Sequence, residues 1–443
     1  MTLPPYLSPL FQRFAHAGYR CYAVGGCVRD SIMGIVPQDY DLCTDAKPET
    51  TLSLFSDYRC IPTGLRHGTV TVLAQGHPVE ITTFRTEGSY TDGRRPDWVS
   101  FTPSLEQDLS RRDFTVNAVA FSPEEGILDP FGGQTDLKQG LLRCVGNPAK
   151  RFSEDALRIL RCLRFSSVLG FSIHPDTAKA LNQTASRLNV VSGERVAAEL
   201  KKLLCGKEVR RILLDWPQVL GVVLPELLPM VGCPQHTPYH KYDVWGHTAA
   251  AVEAIPPKPE LRLAMLFHDA GKPACAFTDE AGIDHFYGHG KVSAQLAQTA
   301  LTRLKWDKAT LETVVDLCLL HDRVLVPTLP AVKRLLRKIG PERLDQLLYV
   351  KEADTLAQSD LALPRMEQHQ QIRRLAQQIL QEQSCFSRKD LAVTGKDLLA
   401  EGIPAGPAVG KALEVLLNAV IDGKISNQRE VLLQYLREES PWT

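Results

Sequence analysis

The sequence predicts an α+β fold, a small sheet near the N-terminus followed by a helical remainder. Short runs rich in β-branched and aromatic residues, bounded by Gly, Pro or Asp, are confined to the first third of the chain. From about residue 146 onward, apolar residues recur at the helical period instead. The composition agrees: 443 residues, 44% hydrophobic and 23% charged, describe an ordinary globular protein of about three domains.

Taken in order, residues 7–17 read as a helix and residues 21–24 as a strand. Residues 40–44, 68–73 and 79–84 are further strands, with Gln75-Gly76 where a hairpin between the last two would turn. Between them, residues 48–55 form a helix with Pro48 in its first turn. The α/β unit ends near Asp129-Pro130-Phe131-Gly132-Gly133. Residues 154–169, 195–204, 261–267, 292–304, 311–320 and 411–421 then carry helical periodicity, and Pro-rich stretches at 225–238, 256–259 and 402–407 mark boundaries. No fixed-period repeat or low-complexity segment interrupts the pattern.

No window reaches the ~18 consecutive apolar residues of a spanning helix, and the start MTLPPYLSPLFQRF lacks a basic n-region and an apolar h-region. The expectation is a cytoplasmic protein with no membrane partner. Eleven cysteines without a C-x-x-C pair fit reduced, mostly buried thiols. Lys plus Arg equals Asp plus Glu at 51 each, so a nucleic-acid partner needs a local basic surface.

Candidate chemistry begins at Val24-Gly25-Gly26-Cys27-Val28-Arg29-Asp30, which follows a strand and opens a helix. Paired glycines allow close backbone approach, free N–H groups suit a phosphate, and Arg29 can add a charge-assisted contact. A tight turn with a solvated Arg gives the same local sequence. Next comes Asp39-Tyr40-Asp41. On a strand, residues i and i+2 share a face at roughly 6.5 Å, so Asp39 and Asp41 can grip hard divalent cations. Glu80 alternates with Val79 and Ile81 and points away from them, as a third acid, a base, or an edge-strand charge. In Arg111-Arg112-Asp113-Phe114-Thr115-Val116-Asn117-Ala118, adjacent cations cannot share a face, so one meets a ligand and the other a structural or solvent partner. Together these pieces describe metal-assisted phosphoryl transfer.

The order GGCVRD, DYD, the loop at 87–96, RRDFTVNA, DPFGG and RFSEDALR resembles the bacterial-type tRNA nucleotidyltransferases, the class II CCA-adding enzymes of the polymerase-β superfamily. The match is dense from about residue 20 to 205 and returns at LAVTGKD. The resemblance implies a polymerase-β-like head over 1–145, a neck that binds RNA and reads bases over 146–230, a helical domain over 231–385 and a tail over 386–443. It further implies addition of C, C and A to the 3′ end of tRNA from CTP and ATP. Mg²⁺ would be held by Asp39 and Asp41. Gly25, Gly26, Arg29, Arg112, Asp113 and Asn117 would serve the nucleotide, while Asp155 and Arg158, with Arg161 and Arg164, would face the base. As i and i+3 in a helix, Asp155 and Arg158 would be neighbours, offering an acceptor to an exocyclic amine and a donor to a ring nitrogen. A-only addition and poly(A) synthesis share this core and are the alternatives. The complete loop at 87–96 favours the full CCA product.

Seven of the twelve histidines lie at 236, 240, 247, 268, 285, 289 and 321. His268-Asp269 follows the apolar run 261–267, and an adjacent His-Asp pair can ligate one divalent metal. This resembles the HD domain of metal-dependent phosphohydrolases, with His247, His268, Asp269, His289 and His321 matching its ligands. Asp316 or His321-Asp322 would take the last position. Such a site would hydrolyse phosphate esters, for example a 2′,3′-cyclic phosphate on a damaged RNA end. An RNA-binding HD phosphohydrolase without polymerase activity is a further alternative. Arg143, Lys150, Arg151, Arg158, Arg161 and Arg164 form a basic stretch suited to a tRNA backbone.

Overall fold

Alternation along residues 69–83 folds as the expected hairpin in the computed structural model, which describes residues 3–88 and 98–438. The chain divides into two units, Met1–Pro225 and Glu226–Thr443.

The first unit is built on β1 (Cys21–Val24), β2 (Asp41–Thr44), β3 (Arg59–Gly64), β4 (Thr69–Ala74) and β5 (His77–Thr83). Beyond a separate ladder of β6 (Arg85–Glu87) with β7 (Val99–Phe101) come β8 (Ala120–Ser122) and β9 (Gly126–Leu128). The sheet runs β3-β4-β5-β2-β1-β8-β9. Neighbours are antiparallel except β2 and β5, which are parallel. Gln75 and Gly76 turn the β4–β5 hairpin with φ of 50° and 86°, the positive pair that matches the twist of adjoining strands. One face buries Val70, Val72, Val79 and Ile81 against Leu10, Phe14 and Phe55 from the helices Ser8–His16 and around Pro48–Leu54.

Two sequence expectations need correction. Strands are not confined to the four predicted. β3 carries Pro62 at the sheet edge, where a missing N–H costs no ladder bond, and β8 and β9 are only three residues long. Two-residue ladders also occur in the helical part: β10 (Leu141–Leu142) with β11 (Ser172–Ile173), and β12 (Phe277–Thr278) with β13 (Asp284–His285). Nor is 154–169 one helix. The helix Pro148–Glu154 stops at Asp155, whose φ of −133° and ψ of 105° are extended, and a second helix runs Leu157–Leu169. The Asp155 carboxylate accepts from the Leu157 N–H at 3.1 Å, a local bond that competes with helix continuation.

The second unit packs Val244–Ala254, Pro259–Phe267, His289–Arg303, Lys308–Leu320 and Leu329–Ala357, the last broken at Gly340 with φ 78° and ψ 164°. Residues 385–436 bury a cluster of their own around Leu398, Leu416, Leu417 and Leu432. Among the described residues no helix is long and apolar enough to cross a membrane. Of the loop at 87–96, residues 89–96 lie outside the described residues.

Candidate active site and a second side-chain cluster

The parallel pairing of β2 with β5 sets Asp41 opposite Glu80, and Asp39 lies two residues before Asp41 at the strand entrance. Val79 and Ile81 are buried while Asp39, Asp41 and Glu80 open to solvent, with Glu80 and Asp39 near enough for their charges to act on Asp41. Desolvation by the surrounding protein, then the charges of Glu80 and Asp39, push the Asp41 carboxyl up to about 6, against a smaller opposing pull from Arg112. Carboxylates that repel one another are relieved by a cation.

β1 ends in Gly25, φ 77° and ψ −128°, before the short helix Gly26–Ile32. A Cβ at Gly25 would stand 3.1 Å from Arg112 Nη1, so glycine lets this turn and that guanidinium touch. The adjacent Arg111 and Arg112 turn to different partners. Arg111 is committed to Asp108 at 2.9 Å and Glu87 at 3.1 Å, whereas Arg112 makes a longer, 3.5 Å contact with Asp108 and faces the Gly25 turn.

Arg29 donates through Nη1 to Asn117 Oδ1 at 2.7 Å and through Nε to Asp30 at 2.8 Å. Asn117 Nδ2 donates to Asp113 Oδ1 at 3.1 Å, and Arg161 Nε donates to Asp113 Oδ2 at 2.8 Å. Burial opposes ionisation of Asp113, but Arg161 and the Asn117 hydrogen bond outweigh it and lower the carboxyl to about 2. Arg164 pairs with Glu199 at 2.6 Å. The guanidinium carbons of Arg29, Arg161 and Arg164 lie 5.2, 5.5 and 3.7 Å from the Phe165 ring centroid, within cation–π range. Sequence reasoning had Arg29, Asp113, Asn117, Arg161 and Arg164 but not Phe165 or Glu199. The i, i+4 spacing of Arg161 and Phe165 was the available signal.

Asp155 and Arg158 do not meet as i, i+3 helix neighbours, because the helix is interrupted at Asp155. Asp155 accepts instead from Arg195 Nη2 at 2.7 Å, and Arg158 donates to Glu154 at 2.6 Å and to the Arg111 carbonyl at 2.9 Å.

In the second unit the histidines converge. His247 Nε2 lies 3.3 Å from His268 Nε2 and 3.0 Å from Asp354 Oδ1. Asp269 spans the group, with Oδ2 3.2 Å from His268 and Oδ1 3.3 Å from His289 and 3.6 Å from His321. The Nδ1 atoms of His268, His289 and His321 each stand 2.7 Å from a backbone carbonyl, of Met265, Phe286 and Cys318. Each must therefore donate, leaving Nε2 lone pairs aimed inward, as in a metal shell. Two three-ligand groups result, His247/His268/Asp354 and Asp269/His289/His321. Of the two alternatives for the last position, Asp316 pairs with Arg343 at 3.4 Å, whereas His321 of the His321-Asp322 pair joins Asp269 and His289, Asp322 lines the adjoining cavity, and Asp354, which the sequence did not single out, completes the other group. Asp354 escaped the sequence reading because it lies on the helix Leu329–Ala357 with no motif around it. Lys272 Nζ, 2.7 Å from Asp269 Oδ2, adds a positive charge.

Three family profiles match the chain: the poly A polymerase head domain over residues 21–143, the probable RNA and SrmB-binding site of polymerase A over 170–230, and the putative tRNA nucleotidyltransferase domain 2 over 283–436. Fold and head together define a nucleotidyltransferase of the polymerase-head class. The CCA-adding enzyme of Limosilactobacillus fermentum is 35% identical over 438 residues, covering 98% of this chain and 97% of the relative. That of Geobacillus stearothermophilus is 34% identical over 443 residues, 99% and 98%. The chain belongs to the CCA-adding enzyme family. A crystal structure of the Bacillus stearothermophilus CCA-adding enzyme in complex with CTP aligns at a TM-score of 0.72 and 29% identity over 99% of this chain and 98% of that one. The Thermotoga maritima CCA-adding enzyme complexed with tRNA shares the fold, at a TM-score of 0.62 and 20% identity over 99% and 97%.

Proposed function

We propose that the protein adds C, C and A to the 3′ end of tRNA from CTP and ATP without a nucleic-acid template. The observation that carries this is the crowding of Asp39, Asp41 and Glu80 beside the Gly25 turn and Arg112, in a chain related to CCA-adding enzymes over nearly its whole length. In each step the 3′-hydroxyl oxygen bonds to the α-phosphorus, the bond to pyrophosphate breaks, and the hydroxyl proton leaves to a base. Asp39 and Asp41, with Glu80 beside them, would hold Mg²⁺, which supplies orientation and charge neutralisation when bound. Gly25 and Gly26 admit the phosphates, and Arg112 and Arg29 balance their charge. Asp113 and Asn117 fix Arg29 and Arg161 in place. Asp155, Arg158, Arg161 and Arg164 read the base edge, where cytosine and adenine share an amine beside a ring-nitrogen acceptor. Work on tRNA suits a cytoplasmic protein, and the division at 145, 230 and 385 into head, neck, HD-type domain and tail follows this assignment.

The test uses tRNA transcripts ending before the first C, after it, and after the second, each NTP alone and CTP with ATP, resolved to single nucleotides. Products stopping at CCA, with UTP and GTP refused, are expected, and Asp155→Ala should relax that refusal. A long A tail, or A added only to the CC end, would move the activity to poly(A) synthesis or A-only addition.

The inward-facing histidine lone pairs favour a second activity, hydrolysis of phosphate esters. There a water oxygen bonds to phosphorus as the ester P–O bond breaks, and the departing oxygen takes up a proton. His247, His268 and Asp354, and Asp269, His289 and His321, would hold divalent cations, which activate water and polarise the phosphoryl group. Undiminished phosphodiesterase and phosphatase activity in a His268→Ala, Asp269→Ala double variant would remove this reading.

A further inference from the structure

We infer that a ladder of three aromatic rings, Phe277, His285 and Tyr287, receives the unpaired terminal bases of a single-stranded RNA whose end phosphate enters the His/Asp cluster. The proposal rests on the hydrolase reading for the fate of the phosphate, but the base platform stands on its own geometry.

The rings share a face for a backbone reason. Phe277 and His285 are direct cross-strand partners in β12–β13, and Tyr287 lies two residues beyond His285 in the turn that follows the strand. His285 stacks on Tyr287 with centroids 5.3 Å apart and planes within 8°, and on Phe277 at 6.2 Å and 29°. The middle ring is clamped: His285 Nε2 is 2.8 Å from Asp279 Oδ2, and Tyr287 Oη is 3.3 Å from His285 Nδ1. The hairpin is anchored in turn by Asp284, which accepts from the His236 N–H and the Thr278 hydroxyl, both at 2.7 Å.

Such rigid support is not repaid by burial, since Tyr287 is 78% exposed and Phe277 60%. An ordered, open aromatic surface is a binding surface by default, and its position says for what. His285 and Tyr287 line the same cavity of about 510 Å³ as Asp269, His289, His321 and Asp354. Lys272 and Arg365 line it too, and the Arg365 guanidinium lies 4.9 Å from the Tyr239 ring centroid. Cations beside candidate metal ligands suit phosphate, and flat rings suit bases of any identity. The ladder runs past the cavity to Phe277, which is outside its lining. A free mononucleotide would leave that third ring unused, whereas a strand end continues along it.

The experiment uses the full chain with Mn²⁺ and a short oligoribonucleotide carrying a 3′-phosphate and 2-aminopurine at its last position, whose fluorescence falls on stacking. The expected result is quenching by the wild type and a Kd raised about tenfold to a hundredfold by Tyr287→Ala, the loss of one stacked base. Tyr287→Trp should retain binding, and CCA addition by both variants should match the wild type. In hydrolysis, Tyr287→Ala should raise KM for a 2′,3′-cyclic-phosphate-ended oligoribonucleotide by the same factor. Glycerol 1,2-cyclic phosphate, with the same reactive ring and no base, should be unaffected. No quenching by the wild type, or equal quenching and Kd in Tyr287→Ala, overturns the platform. Quenching that depends on Tyr287 without hydrolysis of either ester supports the platform and overturns the hydrolase reading alone.

Discussion

His289 Nε2 and His321 Nε2 stand 2.9 Å apart, while the other nitrogen of each ring is 2.7 Å from a backbone carbonyl. With Nδ1 committed to a carbonyl, each ring turns Nε2 toward the other and toward Asp269, a convergent donor set that a cation would fill. Mn²⁺, Co²⁺, Ni²⁺ or Zn²⁺ should therefore raise the melting temperature and EDTA lower it, by about 2.7 kcal/mol at a hundredfold excess over Kd. The effect should shrink in Asp354→Asn and fade as acid protonates the ligands. Calorimetric melting across these ions is the check, and identical melting with and without every one of them would exclude the site.

Asp41 gives a test with opposite signs for stability and activity. Its folded value of about 6 lies above its ordinary 3.8, so the folded state holds this proton more tightly. The stabilisation is complete below the unfolded value and is lost as pH rises through about 6. At neutral pH the metal-free protein thus carries a repulsive charge. Asp41→Asn should raise the stability of the EDTA-treated protein at pH 7.5 by about 1 kcal/mol, a figure discounted for the open carboxylate. The same variant should lose nucleotide addition by about a thousandfold or more, through lost metal and charge stabilisation. A variant that is active, or that melts lower than the wild type in EDTA, would contradict the placement of Asp41 in this acid group.

At Gly25 the backbone and the site are tested together. Alanine there adopts a φ of 77° at a cost of about 1–3 kcal/mol, and its Cβ meets Arg112 Nη1 at 3.1 Å. Gly34→Ala is the control, with φ 75° and nothing within 4 Å of its Cβ. Both variants should melt lower, but only Gly25→Ala should raise the KM for CTP and ATP, by about tenfold if one charge-assisted contact is disturbed. Equal KM values in the two variants would separate Arg112 from the nucleotide.

Local chemistry made much of this legible. Alternation fixed β4 and β5, and with them the orientation of Glu80; paired glycines after a strand marked the turn at Gly25. What the chain order hid were partnerships across long separations. Asp155 meets Arg195 forty residues away, from the extended break between two helices where its carboxylate also accepts from the Leu157 N–H. Asp354 reaches His247 from a helix whose local sequence shows only amphipathic periodicity. The Phe277–His285 pair depends on a two-residue ladder too short to leave a strand pattern.

Arg161 and Asp113 form an ion pair at 2.6 Å within the first unit. Asp113 is 7% exposed, its carboxyl held to about 2 because Arg161 and Asn117 outweigh the burial penalty. A depressed carboxylate contributes stability that is present above its unfolded value, near 3.8, and is lost as pH falls through about 2. The shift corresponds to about 2 kcal/mol. Arg161→Ala leaves that carboxylate buried without its main counter-charge, so the cost at pH 7 should be larger, about 3 kcal/mol. The loss should be partly recovered by adding Asp113→Asn, which removes the stranded charge. Denaturant unfolding at pH 7 of the single and double variants measures this coupling, and additive losses would show that the two residues act independently. Because Asp113 also accepts from Asn117, which in turn holds Arg29, the single variant should weaken CTP and ATP binding as well. The double variant should recover stability without recovering affinity, since it still lacks the Arg161 guanidinium beside Phe165.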